Sequence, residues 1–190
     1  MLFRSGPLAS EDGVMSFRIS PNSEHVVYRA TQDTPGWAEL YSVPIAGGAP
    51  TKLNTLLPNN TRGVETFVIS PDGDAVVYSA DYATDEQYEL YRVPISGGAT
   101  VQVSGPMVEG GSVAGAGYYF TISPDGQKVL YLATQESATK VELFATFDGV
   151  PLPTPTPTTT TTPPTPTVTP TPPAPTRWSL YLPVVSRPTQ

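Results

Sequence analysis

Phe67-Val68-Ile69-Ser70-Pro71-Asp72-Gly73, then Val76-Val77-Tyr78, then Glu89-Leu90-Tyr91-Arg92-Val93-Pro94-Ile95-Ser96-Gly97-Gly98 is the stretch on which the reading of this chain turns. Fifty residues earlier the pattern runs Phe17-Arg18-Ile19-Ser20-Pro21-Asn22-Ser23, Val26-Val27-Tyr28, and Glu39-Leu40-Tyr41 through to Gly47-Gly48. Fifty-three residues later it returns as Phe120-Thr121-Ile122-Ser123-Pro124-Asp125-Gly126, Val129-Leu130-Tyr131 and Glu142-Leu143-Phe144. In all three copies 18 residues separate the turn proline from the glutamate. An internal period of this kind has to be found first, because it decides the architecture.

Each piece has a mechanical reading. Phe17 and Ile19 alternate with Arg18, the period of a strand with one buried face. Pro21, Pro71 and Pro124 preset φ at the second position of a turn. Asp72 and Asp125 suit its third position, and Gly73 and Gly126 accept a positive φ at its exit. The first copy carries Asn22-Ser23 instead, which leaves its exit geometry open. The Val-Val-Tyr runs read as buried second strands. Third strands such as Leu40–Ile45 end in a Gly-Gly pair that favours a tight hairpin, followed by fourth strands at Thr51-Lys52-Leu53 and Val101-Gln102-Val103. No helical period competes in this region. Four antiparallel strands per roughly 50 residues, repeated, describe the blades of a β-propeller. The fold class is therefore all-β, a partial β-propeller of about three four-stranded antiparallel blades, followed by a disordered Pro/Thr linker.

The Ile-Ser-Pro-Asp-Gly turn, the Val-Val-Tyr strand and the Glu-Leu-Tyr…Gly-Gly hairpin resemble the TolB-type, WD-repeat-like propeller blades. Such blades also occur in tricorn-type proteases and ahead of prolyl-oligopeptidase-type catalytic domains. The resemblance covers about residues 16–149. It implies a fold rather than a function, since its members serve as scaffolds, adaptors and substrate gates.

Around the repeat the chain divides into segments. Residues 1–15 read as the fourth strand (Leu2 to Arg4) and exit loop of a preceding blade, because Arg4-Ser5-Gly6-Pro7-Leu8 echoes Val103-Ser104-Gly105-Pro106-Met107. Blade 1 takes 16–65, blade 2 takes 66–117, and blade 3 takes 118–150 with three strands. Propellers close with four to eight blades, so three leave the ring open. The chain is the end of a longer propeller, or a half that pairs with a second copy as a homodimer closing a six-blade ring, or an open stack prone to aggregation.

Of 23 prolines, 11 fall in 151–177 beside 12 threonines, a composition that cannot pack a core. This stalk should adopt polyproline II, reaching up to about 84 Å at 3.1 Å per residue. Pro/Thr tracts of this kind are typical of O-glycosylated stalks in secreted proteins. The tail 178–190, Trp178-Ser179-Leu180-Tyr181-Leu182-Pro183-Val184-Val185 and beyond, is apolar and aromatic. It is similar to the short ends that follow such stalks in secreted Chloroflexi-type bacterial proteins.

Charge and composition exclude several functions. The net charge is −7, with all 17 Asp and Glu in 1–150 against eight Lys and Arg there. An acidic body repels phosphate backbones and anionic lipids, so neither nucleic acid nor a membrane surface is an expected partner. No stretch nears the roughly 20 apolar residues of a membrane-spanning helix. Without cysteine there are no disulfides, thiolate metal sites or cysteine nucleophiles. The first residues lack a signal-peptide core, so the chain is cytoplasmic or its true start lies upstream.

Candidate chemistry is sparse. His25, the single histidine, sits at a strand position matching Ala75 and Lys128 and is expected to face solvent, and no Gly-x-Ser-x-Gly elbow accompanies it. No catalytic residue and no cofactor site is assigned. Asp81, Asp85 and Glu86 crowd one loop with the oxygen density of a weak calcium candidate, although their spacing fits no EF-hand. Glu39, Glu89 and Glu142 recur and read as structural. Trp37, Tyr82 and Tyr88 fall in the second-to-third-strand loops as candidates for a sugar- or peptide-binding face. The glycines Gly110-Gly111 and Gly115-x-Gly117 lack the strand-to-helix setting of a phosphate cradle. Asn59-Asn60-Thr61 fits a glycosylation sequon but is given no role.

These observations point to a non-enzymatic extracellular or envelope scaffold for a protein, peptide or glycan ligand. Two alternatives stand beside it: the gating propeller of a hydrolase whose catalytic part is absent, and a truncated gene product.

Overall fold

A computed structural model describes residues 5, 8, 13–54, 63–113, 120–147 and 150–151. The chain forms two compact units, Met1–Thr154 and Pro155–Gln190. The second unit lies outside the described residues, as do the expected strand at Leu2–Arg4, the stalk beyond Pro151, the apolar tail and the Asn59 sequon.

The first unit is three four-stranded antiparallel meanders, and every described element is a strand, bridge, turn or loop. The first sheet is β1 (Val14–Ile19), β2 (His25–Ala30), β3 (Glu39–Pro44) and β4 (Thr51–Lys52). The second is β5 (Val64–Ile69), β6 (Ala75–Thr84), β7 (Gln87–Pro94) and β8 (Val101–Gln102). The third is β9 (Phe120–Ile122), β10 (Lys128–Ala133), β11 (Glu142–Phe147) and β12 (Val150–Pro151). The strands follow chain order within each sheet, as blades do. The chain is thus an all-β partial propeller.

Three expectations need correction. Blade 3 has a fourth strand, since Val150 and Pro151 pair with Phe147 and Thr146. The first proline of the stalk, Pro151, therefore sits on a sheet edge, where a missing N–H is tolerated. The blades also start earlier than 16, 66 and 118: Val14 pairs with Ala30, Val64 with Ala80, and Val113 bridges Ala133. A register shift before Ser16 and before Thr66 had hidden these leading residues from a strict period-2 reading. Finally, Gly-Gly does not close a two-residue hairpin. A turn closed by the Gly47 N–H on the Pro44 carbonyl (3.0 Å) is followed by three further residues before β4, and Gly97 repeats it on Pro94 at 2.9 Å.

The Ser-Pro-Asp-Gly turns share one design. The Ser70 hydroxyl donates to the Asp72 carboxylate and accepts the Ala75 N–H at 2.9 Å, while Asp72 accepts the Asp74 N–H at 3.0 Å. Ser123 and Asp125 repeat these bonds onto Lys128 and Gln127. Gly73 and Gly126 take φ of 83° and 74°. In the first blade Asn22 replaces the aspartate, accepting from Ser20 at 2.6 Å and from the Glu24 N–H at 3.1 Å. The exit left open by the sequence is the same left-handed one, with Ser23 at φ 60°.

Blades stack face on face. Cross-strand partners point to one side of a sheet, so Phe67, Ile69, Val76, Tyr78 and Tyr91 line the leading face of blade 2. They share a buried cluster with Val27, Leu40 and Leu53 from the trailing face of blade 1. One repeat on, Val77, Leu90 and Val103 meet Phe120, Val129 and Tyr131. Backbone bonds tie the same junctions: Val64 donates to the Ala38 carbonyl and Val113 to the Tyr88 carbonyl, both at 2.8 Å.

Candidate functional site

In a four-stranded meander the first and third turns leave one end of the blade and the second loop and the blade-to-blade connector leave the other. The proposed binding aromatics and the acidic loop sit at the second end. The side chains there follow a repeat of their own.

Tyr28, Tyr78 and Tyr131 occupy one repeat position. Their rings stack on Tyr41, Tyr91 and Phe144 of the neighbouring strand, with centroids 5.4, 5.7 and 5.5 Å apart. Such offset pairs add to simple burial. The hydroxyls meet the residue four places on: Tyr28 donates to Gln32 at 2.7 Å, Tyr131 to Gln135 at 2.6 Å, and Tyr78 shares a 3.0 Å bond with the Tyr82 hydroxyl. The Gly105 N–H of the preceding blade donates to the Tyr131 hydroxyl at 3.1 Å. Burial pushes the phenols of Tyr78 and Tyr131 upward in pKa.

The recurring glutamates belong to the same layer. Buried Glu39 accepts the Tyr41 hydroxyl at 2.7 Å and the Asp33 N–H at 2.9 Å, and pairs with Lys52 at 2.5 Å. Glu89 accepts the Tyr91 hydroxyl at 2.6 Å. Burial, followed by the hydrogen bond to a carboxylate, raises the phenol pKa of Tyr41 and Tyr91 far above the ordinary value. For Lys52 burial works against the charged form, but its bonds to Glu39 and Asp33 prevail and raise its pKa. In blade 3, Glu142 instead pairs with Lys140 at 2.7 Å.

The three residues of the weak calcium candidate do not converge. Asp81 is fully buried, and its two oxygens accept the Gly63 N–H at 3.2 Å and the Glu86 N–H at 3.4 Å. Asp85 is exposed beside it, and Glu86 turns the hairpin at φ 63°. Among the described residues no three carboxylate or imidazole groups converge as a metal site would require. Asp81 is a fastener. The same repeat position in blade 3 holds Thr134, which accepts the Ser112 N–H at 2.9 Å.

The binding-face aromatics are also committed elsewhere. Tyr82 lies within β6 rather than in a loop and packs on the junction between blades 1 and 2, its ring 4.6 Å from Tyr91. Burial lifts its phenol pKa. Tyr88 lies in β7 and packs on the next junction, its N–H donating to the Ser112 hydroxyl at 2.9 Å. Trp37 is half-buried in the loop that Glu39 ties down. The structure does not bring the three together as one open aromatic face. His25 is half-buried rather than solvent-facing, with its Nδ1 enclosed and unpartnered among the described residues.

What this end offers to a ligand is its loops: exposed Asp33, Asp85, Glu109 and Glu136, with Lys52 and Lys140 already in ion pairs. The sequence reading takes the glutamates of this layer as structural but misses their tyrosine and Gln/Tyr partners, although the signal is present as a tyrosine followed four residues later by Gln, Tyr or Gln in register.

No family model matches the chain, and no curated protein does. Among solved structures the chain is similar to TolB from Acinetobacter baumannii, at a TM-score of 0.50 and 16% identity over 74% of this chain and 32% of TolB. An uncharacterized protein from Listeria monocytogenes follows at 0.49 and 10% identity, over 76% of this chain and 40% of that one. The tricorn protease stands at 0.46 and 15% identity, over 68% of this chain and 12% of the protease. The chain spans about a third of the length of TolB. The likeness to TolB shows the fold, a TolB-type β-propeller repeat.

Proposed function

We propose that this chain is a non-enzymatic binding scaffold of the extracellular space or cell envelope, holding a protein, peptide or glycan ligand on the loop end of its blades. One observation carries the reading. The polar side chains that recur from blade to blade, the stacked tyrosines and their glutamate and Gln/Tyr partners, are bonded within the blade or to the next one. Repetition here serves stacking, and chemistry is left to the loops, which differ in every blade. Their exposed carboxylates favour ligands that present basic groups or hydroxyl donors over anionic ones. The Pro/Thr tract supports the location, as a spacer of the kind found on exported proteins. Among the described residues no helix is long and apolar enough to cross a membrane.

The test pairs arrays of glycans and basic peptides with a panel of peptide, ester and glycoside substrates, using the full chain. Saturable binding without turnover supports the scaffold. Turnover that a loop substitution abolishes would overturn it. Resistance of the native protein to protease added to intact cells would contradict surface display.

A further inference from the structure

The leading face of blade 1 is covered unevenly. Val26, Tyr28 and Ala30 of β2 and Tyr41 and Val43 of β3 form a buried cluster, at most 7% exposed. Phe17 and Ile19 of β1, on the same face, are 68% and 56% exposed. On the leading face of blade 2 a whole blade stacks, and there the matching Phe67 and Ile69 are 3% and 9% exposed. Cover over β2 and β3 that leaves β1 open is the footprint of an outer strand and its connector.

The junction between blades 2 and 3 shows how a connector is held. The Gly105 N–H donates to the Tyr131 hydroxyl at 3.1 Å, and that hydroxyl donates to Gln135 at 2.6 Å. A Cβ on Gly105 would stand 2.6 Å from the Gln135 amide nitrogen, so only glycine fits beside it. The Val108 N–H reaches the Gln135 carbonyl at 3.1 Å, and the Thr134 N–H closes the connector on Ser112 at 2.9 Å. Blade 1 carries the same receiver. Tyr28 donates to Gln32 at 2.7 Å, and the Thr31 N–H bonds the Gly13 carbonyl at 3.2 Å.

The sequence supplies the matching connector. Ser5-Gly6-Pro7-Leu8 aligns with Ser104-Gly105-Pro106-Met107, and Val14 follows Ser5 at the same spacing as Val113 follows Ser104. Asn54 to Val64, between blades 1 and 2, is one residue longer and has no Gly-Pro, and there the tyrosine meets Tyr82 instead of a glutamine. Of the aligned stretch, Ser5 is half-buried, and the Leu8 Cδ1 lies 3.5 Å from where a Cβ on Gly13 would stand.

We infer that Ser5-Gly6-Pro7-Leu8, led by the strand expected at Leu2 to Arg4, docks across β2 and β3 of blade 1. The Gly6 N–H donates to the Tyr28 hydroxyl, and Gly6 passes the Gln32 amide as Gly105 passes that of Gln135. A Gly-Pro connector and a tyrosine followed four residues on by glutamine form a matched pair, used at both ends of this body. The leading face of blade 1 then offers a partner only the β1 strip of Phe17 and Ile19. This inference is independent of the binding role proposed above, and failure of the arrays would leave it untouched.

Nuclear magnetic resonance on the full chain tests it. The Gly6 amide proton should show Overhauser contacts to the Tyr28 ring, as the Gly105 amide proton should to Tyr131. Tyr28→Phe keeps the ring and removes the hydroxyl, so it should move the Gly6 amide proton upfield through loss of the hydrogen bond. The Gly105 resonance should stay in place and show that the other blades remain folded. Absence of any contact between Gly6 and the Tyr28 ring in the folded parent would overturn the inference, with no variant needed. A Gly6 resonance that Tyr28→Phe leaves unmoved would overturn it as well.

Discussion

The carboxylate of Asp81 accepts the backbone N–H of Gly63 at 3.2 Å. Gly63 immediately precedes β5, and its neighbour Val64 donates to Ala38 of the preceding blade at 2.8 Å. One side chain of blade 2 thereby fixes the strap that carries the chain over from blade 1.

Removing that acceptor has a defined cost. Asp81→Ala leaves the buried N–H of Gly63 short of its acceptor, at about 1–3 kcal/mol, while the Glu86 N–H lies on an exposed turn and loses a longer bond. Asp81→Asn keeps a carbonyl oxygen and should retain part of the stability. Urea denaturation of the three proteins measures this. Added calcium should leave the midpoint of the wild-type chain unchanged, because the oxygens that would bind it face the backbone.

Gly63 itself admits no side chain. It sits at φ 90°, and a Cβ there would stand 2.3 Å from the Ala38 carbonyl oxygen, a backbone atom that cannot swing away. Gly63→Ala should destabilise by more than the roughly 1–2 kcal/mol of the left-handed conformation alone. Ser23→Gly is the opposite case. Ser23 holds φ 60° where the other blades use glycine, so the substitution should raise the thermal midpoint, by up to about 1 kcal/mol in stability.

The tyrosine layer predicts an alkaline limit. Tyr41 and Tyr91 have phenol pKa values raised by burial and by their bonds to Glu39 and Glu89. A raised folded-state value favours folding fully below the unfolded value of about 10 and progressively less above it, because the unfolded chain then releases protons that the folded one keeps. Stability should therefore hold up to about pH 10 and fall beyond it. Tyr41→Phe should soften that decline while lowering stability at neutral pH, because Glu39 Oε2 then keeps only the Asp33 N–H as a donor. Denaturation midpoints as a function of pH give both. At the acid end the sign reverses: Asp72 is lowered by the Ser70 hydroxyl and the Asp74 N–H, so its contribution is present above its unfolded value of about 4 and is lost as the pH falls through the folded one.

Junction burial is testable by truncation. Leu40 is fully buried between blades 1 and 2, and Leu40→Ala should cost about 2–5 kcal/mol.

The outline of the blades was legible in the sequence because it rests on local signals. Phe17 and Ile19 alternate, proline and glycine mark the turns, and the repeat fixes which strands are equivalent. The roles of single polar residues were not legible. Asp81, Asp85 and Glu86 look like an oxygen-rich loop when counted along the chain. The pairing of Ala80 with Glu89 instead carries Asp81 inward, onto the backbone of a strand nearly twenty residues away in sequence. Tyr82 lies beyond the Val76-Val77-Tyr78 run, so the repeat alone puts it in a loop, and in blades 1 and 3 the corresponding strands do end earlier, at Ala30 and Ala133. In blade 2 the strand runs on to Thr84. Strand length of that kind depends on pairing across the hairpin, which neither composition nor period records.

The central claim is that the recurring side chains and the strap bonds fasten the blades into one cooperative body. Native-state hydrogen exchange tests it at the Val64 and Val113 amides, which bond across the two blade junctions to the Ala38 and Tyr88 carbonyls. The account predicts that both amides exchange with the same opening free energy as the paired amides of β6 and β7, through unfolding of the body as a whole. Exchange at Val64 and Val113 as fast as in exposed loops, with β6 and β7 still protected, would contradict it and show blades that fold separately.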